Sequence, residues 1–234
     1  MNRSASVIIA AGLVFASVIF GIFFYHARNQ NRTIRVVGYA TESFEADLVK
    51  WSVELSEHTQ GEEVNQAYRR LNQKVTTFEQ MLKSLNIEID EKNIQPVNVR
   101  QQYGREGLVV GHNLTQRIYI ISKDLQSVSD AAVNPTEFLD KGLSFHMSRL
   151  QYFSTSLPEI KKQLLAKATK NARERAEEIS GAAGHTIQKL IRANAGVFQI
   201  TEPYSTEVSG YGIHNTSSKR KNIKVTVAAT FSIE

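Results

Sequence analysis

The sequence predicts an α+β fold with mainly antiparallel sheet, covered by two long helices and preceded by one N-terminal transmembrane helix. Three observations predict it. Strand-period stretches come in neighbouring pairs joined by short polar turns. Two long helix-period stretches separate those pairs, so the elements run ββαββ and then αβαββ. An apolar run of bilayer length stands near the N-terminus. Residues 1–30 are therefore read as a signal anchor and residues 33–234 as a soluble domain.

Residues 7–25, VIIAAGLVFASVIFGIFFY, are apolar apart from Gly12, Ser17, Gly21 and the Tyr25 hydroxyl. As a helix the run spans about 28 Å, close to the hydrocarbon thickness of a bilayer. A cleavable secretory signal is shorter and ends in small residues. Here Tyr25 spoils the site at Ala27, and cutting after Ala16 would leave SVIFGIFFY exposed. The segment is expected to be an uncleaved anchor. Arg3 precedes it, whereas Arg28, Arg32 and Arg35 follow. By the positive-inside rule this count slightly favours a cytoplasmic C-terminal side, but long domains are exported with little regard to it.

Residues 34–40 read as a strand in which Gly38 marks a bulge or a tight approach. Residues 48–58 alternate, with Val49, Trp51, Val53 and Leu55 on one face, which is the pattern of a half-buried antiparallel strand with Trp51 in the core. Residues 61–85 read as a helix with Val64, Tyr68, Leu71, Val75, Phe78, Leu82 and Leu85 spaced alternately four and three apart. Such a seam serves either a coiled coil between subunits or packing on the chain's own sheet, and the neighbouring strands favour the sheet. Residues 94–103 and 108–122 read as two strands joined by a turn at Gly104-Arg105-Glu106-Gly107.

Asp124 is placed to cap a short helix with Leu125, Val128 and Ala132 inward, and Pro135 ends it or starts a further turn. Residues 143–153 read as a strand. Residues 156–184 read as the second long helix, opened by a Ser156/Glu159 capping box and stopped by Gly184. Its apolar stripe, Ile160, Leu164, Ala168, Ala172, Ala176 and Ile179, is rich in alanine, so the helix is expected to lie close against a sheet. Residues 187–200 read as a strand broken at Gly196, residues 201–222 as a long polar loop, and residues 223–234 as the clearest alternating strand of the chain.

Composition excludes several chemistries. There is no cysteine, which removes disulfides, thiolate catalysis, cysteine-held metals and lipid attachment to an N-terminal cysteine. The formal charge is +5, and Arg3 and Arg28 in the acid-free first thirty residues leave +3 for the rest. That is too little to argue for nucleic acid. His26, His58, His112, His146, His185 and His214 stand singly, without metal-ligand spacing, and only a fold that gathers His112 and His146 with distant carboxylates would make a site of them. No Gly-x-Ser-x-Gly elbow occurs, and the glycines at 104 and 107 form a turn rather than a phosphate cradle. Glu42, Glu45 and Asp47 read as turn carboxylates, and Lys219-Arg220-Lys221 as a solvated strand flank. No catalytic, cofactor-binding or metal-binding residue is singled out, and no cofactor is expected.

The opening stretch IRVVGYATESFEADLVKWSVEL resembles the start of SIMPL-domain proteins, the YggE-like envelope family. The likeness continues at KDLQSVSDAAVNPTEFLDKGLSF, through the alanine-rich helix into GAAGHTIQKLIRANAG, and in the final alternating strand. It implies export to the periplasm or cell surface, an α+β fold and a tendency to self-associate, and it hands over no active-site residues. The expected protein is thus single-pass in the inner membrane, with its domain in the periplasm or outside the cell. It is expected to work without catalysis or nucleic acid, as a self-assembling homo-oligomer using the heptad-spaced helix or a strand edge. The alternative is a binding module for a peptide or small ligand, with residues 104–107 and 201–222 as contacts; a hydrolase is the weakest reading.

Overall fold

The computed structural model describes residues 3–29, 32–60 and 63–234, with side chains described from Ile9 to Tyr25 within the first helix. In chain order the elements are α1 (Arg3–Asn29), β1 (Thr33–Glu45), β2 (Leu48–Gln60), α2 (Val64–Ser84), β3 (Glu91–Ile94), β4 (Asn98–Tyr103) and β5 (Val109–Ser122). There follow α3 (Leu125–Val133), α4 (Thr136–Asp140), β6 (Phe145–Phe153), α5 (Leu157–Ala182), β7 (Ile187–Ala195), β8 (Gln199–Thr201), β9 (Ile213–His214) and β10 (Arg220–Ile233). This is an α+β fold whose sheets are mainly antiparallel. It departs from the expected order where Gln95-Pro96-Val97 splits one strand into β3 and β4. Proline has no N–H to give the ladder, so pairing stops there. The chain divides into two compact units, each built from separated stretches.

The first unit comprises Met1–Thr41, Lys162–Phe198 and Lys224–Glu234. The described side chains of α1 are exposed all round, Phe15, Phe20 and Phe23 among them. Among the described residues no helix is long and apolar enough to cross a membrane. The side chains of Val7 and Ile8, which open the expected span, lie outside the described residues, as do those of Arg3, His26 and Arg28. The described part of the expected span is an apolar helix with an exposed surface.

In the same unit β10 lies between β1 and β7, pairing antiparallel with β7 from Val227↔Ala195 to Ile233↔Ile187. Val36, Ala172, Ala176, Ala229 and Phe231 form its core. The small side chains on α5 let β1 come to backbone contact: a Cβ on Gly38 would lie 2.3 Å from the Ala172 amide nitrogen. The tight approach expected at Gly38 is thus a strand pressed on a helix. Asn171 Oδ1 accepts from the Tyr39 amide at 3.1 Å, and Arg175 donates to the Val37 carbonyl at 3.1 Å, so polar contacts flank the glycine. The buried stripe of α5 is Leu164, Ala168, Ala172, Ala176 and Ser180, an unbroken i, i+4 series. Ile179, expected inward, is exposed; Ser180 takes its place by donating its hydroxyl to the Ala176 carbonyl at 2.7 Å.

The second unit comprises Glu42–Lys161 and Gln199–Ile223. Its sheet has the order β3-β5-β2-β6, with β4 also on β5. The central pair β2/β5 runs in unbroken register from Val49↔Ser122 to Gln60↔Gly111. Helix α2 packs on β2 and β5, while α3 packs on β2 and β6. The seam residues Leu71, Val75, Phe78 and Leu82 are buried in the resulting core with Trp51, Leu55, Leu114 and Ile118. That corrects the coiled-coil option: the apolar seam is spent on the chain's own sheet, and Tyr68, which leaves the buried set, is exposed. Trp51 stands edge-on to Phe78 at 5.5 Å, to Phe138 at 5.7 Å and to Phe145 at 5.7 Å, the geometry that ring quadrupoles favour. Its indole N–H donates to Ser148 Oγ at 2.9 Å.

The cap expected at Asp124 holds: it accepts from the Ser127 amide at 3.0 Å. Gly142 takes a positive φ (77°) just after α4. The 201–222 loop is not free chain: Tyr152 N–H donates to Thr216 O at 2.7 Å, and Ala46 N–H to Lys219 O at 2.9 Å.

Candidate functional site: a polar pocket on the open sheet face

The pleat decides what the second unit shows to solvent. Along β5, Leu114, Ile118 and Ile120 turn into the core, so Asn113, Thr115 and Arg117 occupy the opposite face. Register then sets their neighbours. Glu54 of β2 lies opposite Arg117, Asn98 of β4 opposite Thr115, and Arg100 of β4 opposite Asn113. Residues paired across an antiparallel ladder share a face, and these six side chains line one pocket with Gln95, Pro96 and His146. Its volume is about 330 Å³.

Two irregularities shape it. At the β3/β4 break, Gln95 N–H donates to Arg117 O at 2.9 Å, and Gln116 Nε2 donates back to Gln95 O at 2.9 Å. This pins the proline-containing link as one wall. On the other side β6 is bulged. Met147 opposes Glu54 and Phe145 opposes Leu55, so His146 is the extra residue between them. A bulge re-aims the side chain it carries, and here that side chain reaches the pocket.

Arg117 Nη2 donates to Glu54 Oε2 at 3.0 Å, pairing the one carboxylate of the lining. The Arg100 guanidinium has no hydrogen-bond or ion-pair partner among the described residues, nor do the side-chain amides of Asn98 and Asn113 or the His146 ring. The pocket therefore offers one uncompensated guanidinium, two amides, a hydroxyl and an imidazole, with Pro96 its single apolar side chain. That set binds hydroxyls, amides and oxyanions; it lacks an aromatic platform and an activated nucleophile.

The expected contacts fall elsewhere. The expected 104–107 turn closes the β4–β5 hairpin, with Gly107 at a positive φ (74°), but it does not line this pocket, and neither does the 201–222 loop. His112 shares the face of Leu114 rather than that of His146, so the two are not gathered. Among the described residues no three or more His, Asp or Glu side chains are grouped to hold a metal ion. Asp47 is more than a turn carboxylate: it accepts from the backbone and hydroxyl of Thr155. Burial alone would raise its pKa, but those bonds, with help from Lys123, hold it below the usual value.

The basic cluster at 219–221 is corrected at its last member. Lys221 is 2% exposed and donates to the Tyr152 carbonyl at 2.8 Å. It occupies the core-facing parity of β10, shared with Ile223 and Val225, and burial pushes its ammonium below the usual pKa. Nearby His214 is likewise pushed down, by burial first and then by the charges of Lys161 and Lys221. A second pocket of about 290 Å³ lies where Leu85, Ile87 and Phe138 meet Asp130 and Asn134. It is walled mainly by the edge of the core, and Asp130 is occupied there by Gln126 at 2.9 Å.

A comparison with curated proteins returns no match. The family model SIMPL, described as a protein of unknown function (DUF541), matches residues 34–231. That range runs from the second residue of β1 to within two residues of the end of β10, and the chain belongs to the SIMPL family.

Proposed function

We propose that this SIMPL protein is a membrane-anchored cell-envelope protein whose domain binds a small polar ligand outside the cytoplasm, without catalysis. The polar pocket on the open face of the β3-β5-β2-β6 sheet carries the reading, because several donors converge there without partners. Binding is favoured over hydrolysis because the lining's one carboxylate is held by Arg117 rather than poised beside a nucleophile. Anchoring rests on α1, whose exposed leucine, isoleucine and phenylalanine side chains would each cost about 1.5–3 kcal/mol to keep in water.

Self-assembly is the second reading. The heptad seam no longer supports it, but β7 does, with Leu190 and Ile191 exposed on opposite faces of the strand. Such an edge suits pairing with another strand. Light scattering on the full chain in detergent tests it: a monomer at high concentration removes this reading.

Two measurements test the main proposal. A reporter fused after Glu234, read beside the intact mass, should be exported with residues 1–25 retained; a cytoplasmic reporter overturns the envelope assignment. Saturation-transfer NMR of the full chain against monosaccharides, sugar acids and short peptides should give a response that Asn113→Ala removes. A response unchanged in that variant, or no response across the panel, overturns the pocket.

A further inference from the structure

The charges in the pocket restrict its ligand further. Glu54 and Arg117 cancel each other at 3.0 Å. Arg100 remains, exposed on β4 opposite Asn113, with no partner among the described residues. One uncompensated guanidinium is matched by one negative charge, and its planar fork fits a carboxylate through two parallel N–H bonds. The remaining donors and acceptors, Asn98, Asn113 and Thr115, are uncharged and suit hydroxyl or amide groups. A cationic ligand finds no free carboxylate. A bare aromatic finds only Pro96. The volume of about 330 Å³ is at the small end of ligand sites, which run from roughly 300 Å³ upward.

Building on the proposed binding role, we propose that the pocket takes a monocarboxylate of monosaccharide or dipeptide size. Arg100 grips the carboxylate, and the amides of Asn98 and Asn113 read the adjoining hydroxyls or amide. The shared chemistry is a carboxylate beside polar groups, and the sugar and peptide sources differ in what stands beside it.

The experiment is titration calorimetry on the full chain in nanodiscs. The probes are D-glucuronate, its neutral analogue D-glucuronamide, N-acetyl-alanyl-alanine and D-glucose 6-phosphate. Either carboxylate should bind at least about tenfold more tightly than glucuronamide, and whichever binds better identifies the source. Arg100→Gln should remove that advantage, so that glucuronate binds no more tightly than glucuronamide does to the same variant, and raised salt should weaken only the charged probes. Arg100 is exposed on a strand edge, so folding is preserved in the variant, and an unchanged circular dichroism spectrum checks it. Equal binding of glucuronate and glucuronamide overturns the carboxylate assignment while the binding role stands. Tighter binding of the phosphate also overturns it. No binding of any probe by the wild-type chain overturns the carboxylate assignment and the proposed binding role together.

Discussion

Replacing Gly38 with alanine should be the most damaging single-methyl change in the first unit. The added Cβ would lie 2.3 Å from Ala172 N, 2.4 Å from Ala168 O and 2.6 Å from Ala172 Cα. Ordinary contact begins at 3.4 Å, so α5 and β1 must separate by about 1 Å. A gap of that size forfeits roughly a quarter to a half of each dispersion contact across the interface. The obstructing atoms are backbone, so no rotamer change relieves them, and the cost falls at the upper end of the 1–3 kcal/mol typical of overpacking. Stretching the flanking bonds from Tyr39 N–H to Asn171 and from Arg175 to Val37 O adds about 1 kcal/mol. The expected loss is about 3–4 kcal/mol, read as the shift in denaturant midpoint by far-UV circular dichroism of the full chain in mild detergent. Because the clash is with main-chain atoms, Ala172→Gly should not restore stability. A Gly38→Ala protein within about 0.5 kcal/mol of wild type, or rescue by Ala172→Gly, would refute the close-approach argument.

The remaining predictions concern the second unit. Trp51→Ala should cost about 3–5 kcal/mol by emptying the centre of the aromatic cluster, whereas Ser148→Ala should cost about 1 kcal/mol by leaving the indole N–H without its acceptor; equal losses in a urea titration would contradict that division. Lys221→Met keeps the buried stem and removes the desolvated ammonium, so it should stay within about 1 kcal/mol of wild type, while Lys221→Ala should lose about 2–3 kcal/mol. Because the folded Lys221 pKa is depressed below the usual 10.5, the unfolded chain holds that proton more tightly. Its contribution to stability therefore rises with pH up to about 10.5, and the methionine variant should lack that slope in alkaline melts. Glu57 has the opposite sign of charge. Burial alone would raise its pKa, but Lys74 at 2.7 Å and Arg70 at 3.1 Å hold it below 4.5. Its contribution is complete above pH 4.5 and is lost as the pH falls through the folded value. Glu57→Gln should cost about 0.5–1 kcal/mol at neutral pH and flatten the acid limb of the stability curve; an unchanged acid limb would contradict the assignment.

Much of the architecture was legible because periodicity reports burial directly. The alternation in β2 and β10, the apolar spacing of α2 and the cap at Asp124 each state one local preference that the fold keeps. The seam of α2 shows the limit of that legibility. Its spacing of four and three fits a coiled coil or a sheet equally well, and only the presence of β2 and β5 beneath it chose the sheet. Ile179 lost its inward place to Ser180 because a polar residue that bonds its own helix is as buriable as an apolar one, which a hydropathy count does not see. Lys221 reads as part of a basic flank until β10 starts early enough to put it on the core-facing parity, where the Tyr152 carbonyl receives it.

Of the candidate site only His146 was singled out in the sequence, and with the wrong partner, His112. Glu54, Asn98, Arg100, Asn113, Arg117 and His146 are scattered over ninety-odd positions, and no motif links them to one another. They meet because register is a property of paired strands, not of either strand alone, and because a bulge in β6, which no pattern in residues 145–153 announces, turns His146 into the pocket. The sequence by itself determined the α+β class, the positions of most helices and strands, the apolar N-terminal helix and the absence of thiol chemistry, since composition and periodicity carry these locally. The tertiary structure decided which faces were covered, how closely β1 lies on α5, and which polar side chains share the open face, since each depends on groups brought together from distant parts of the chain.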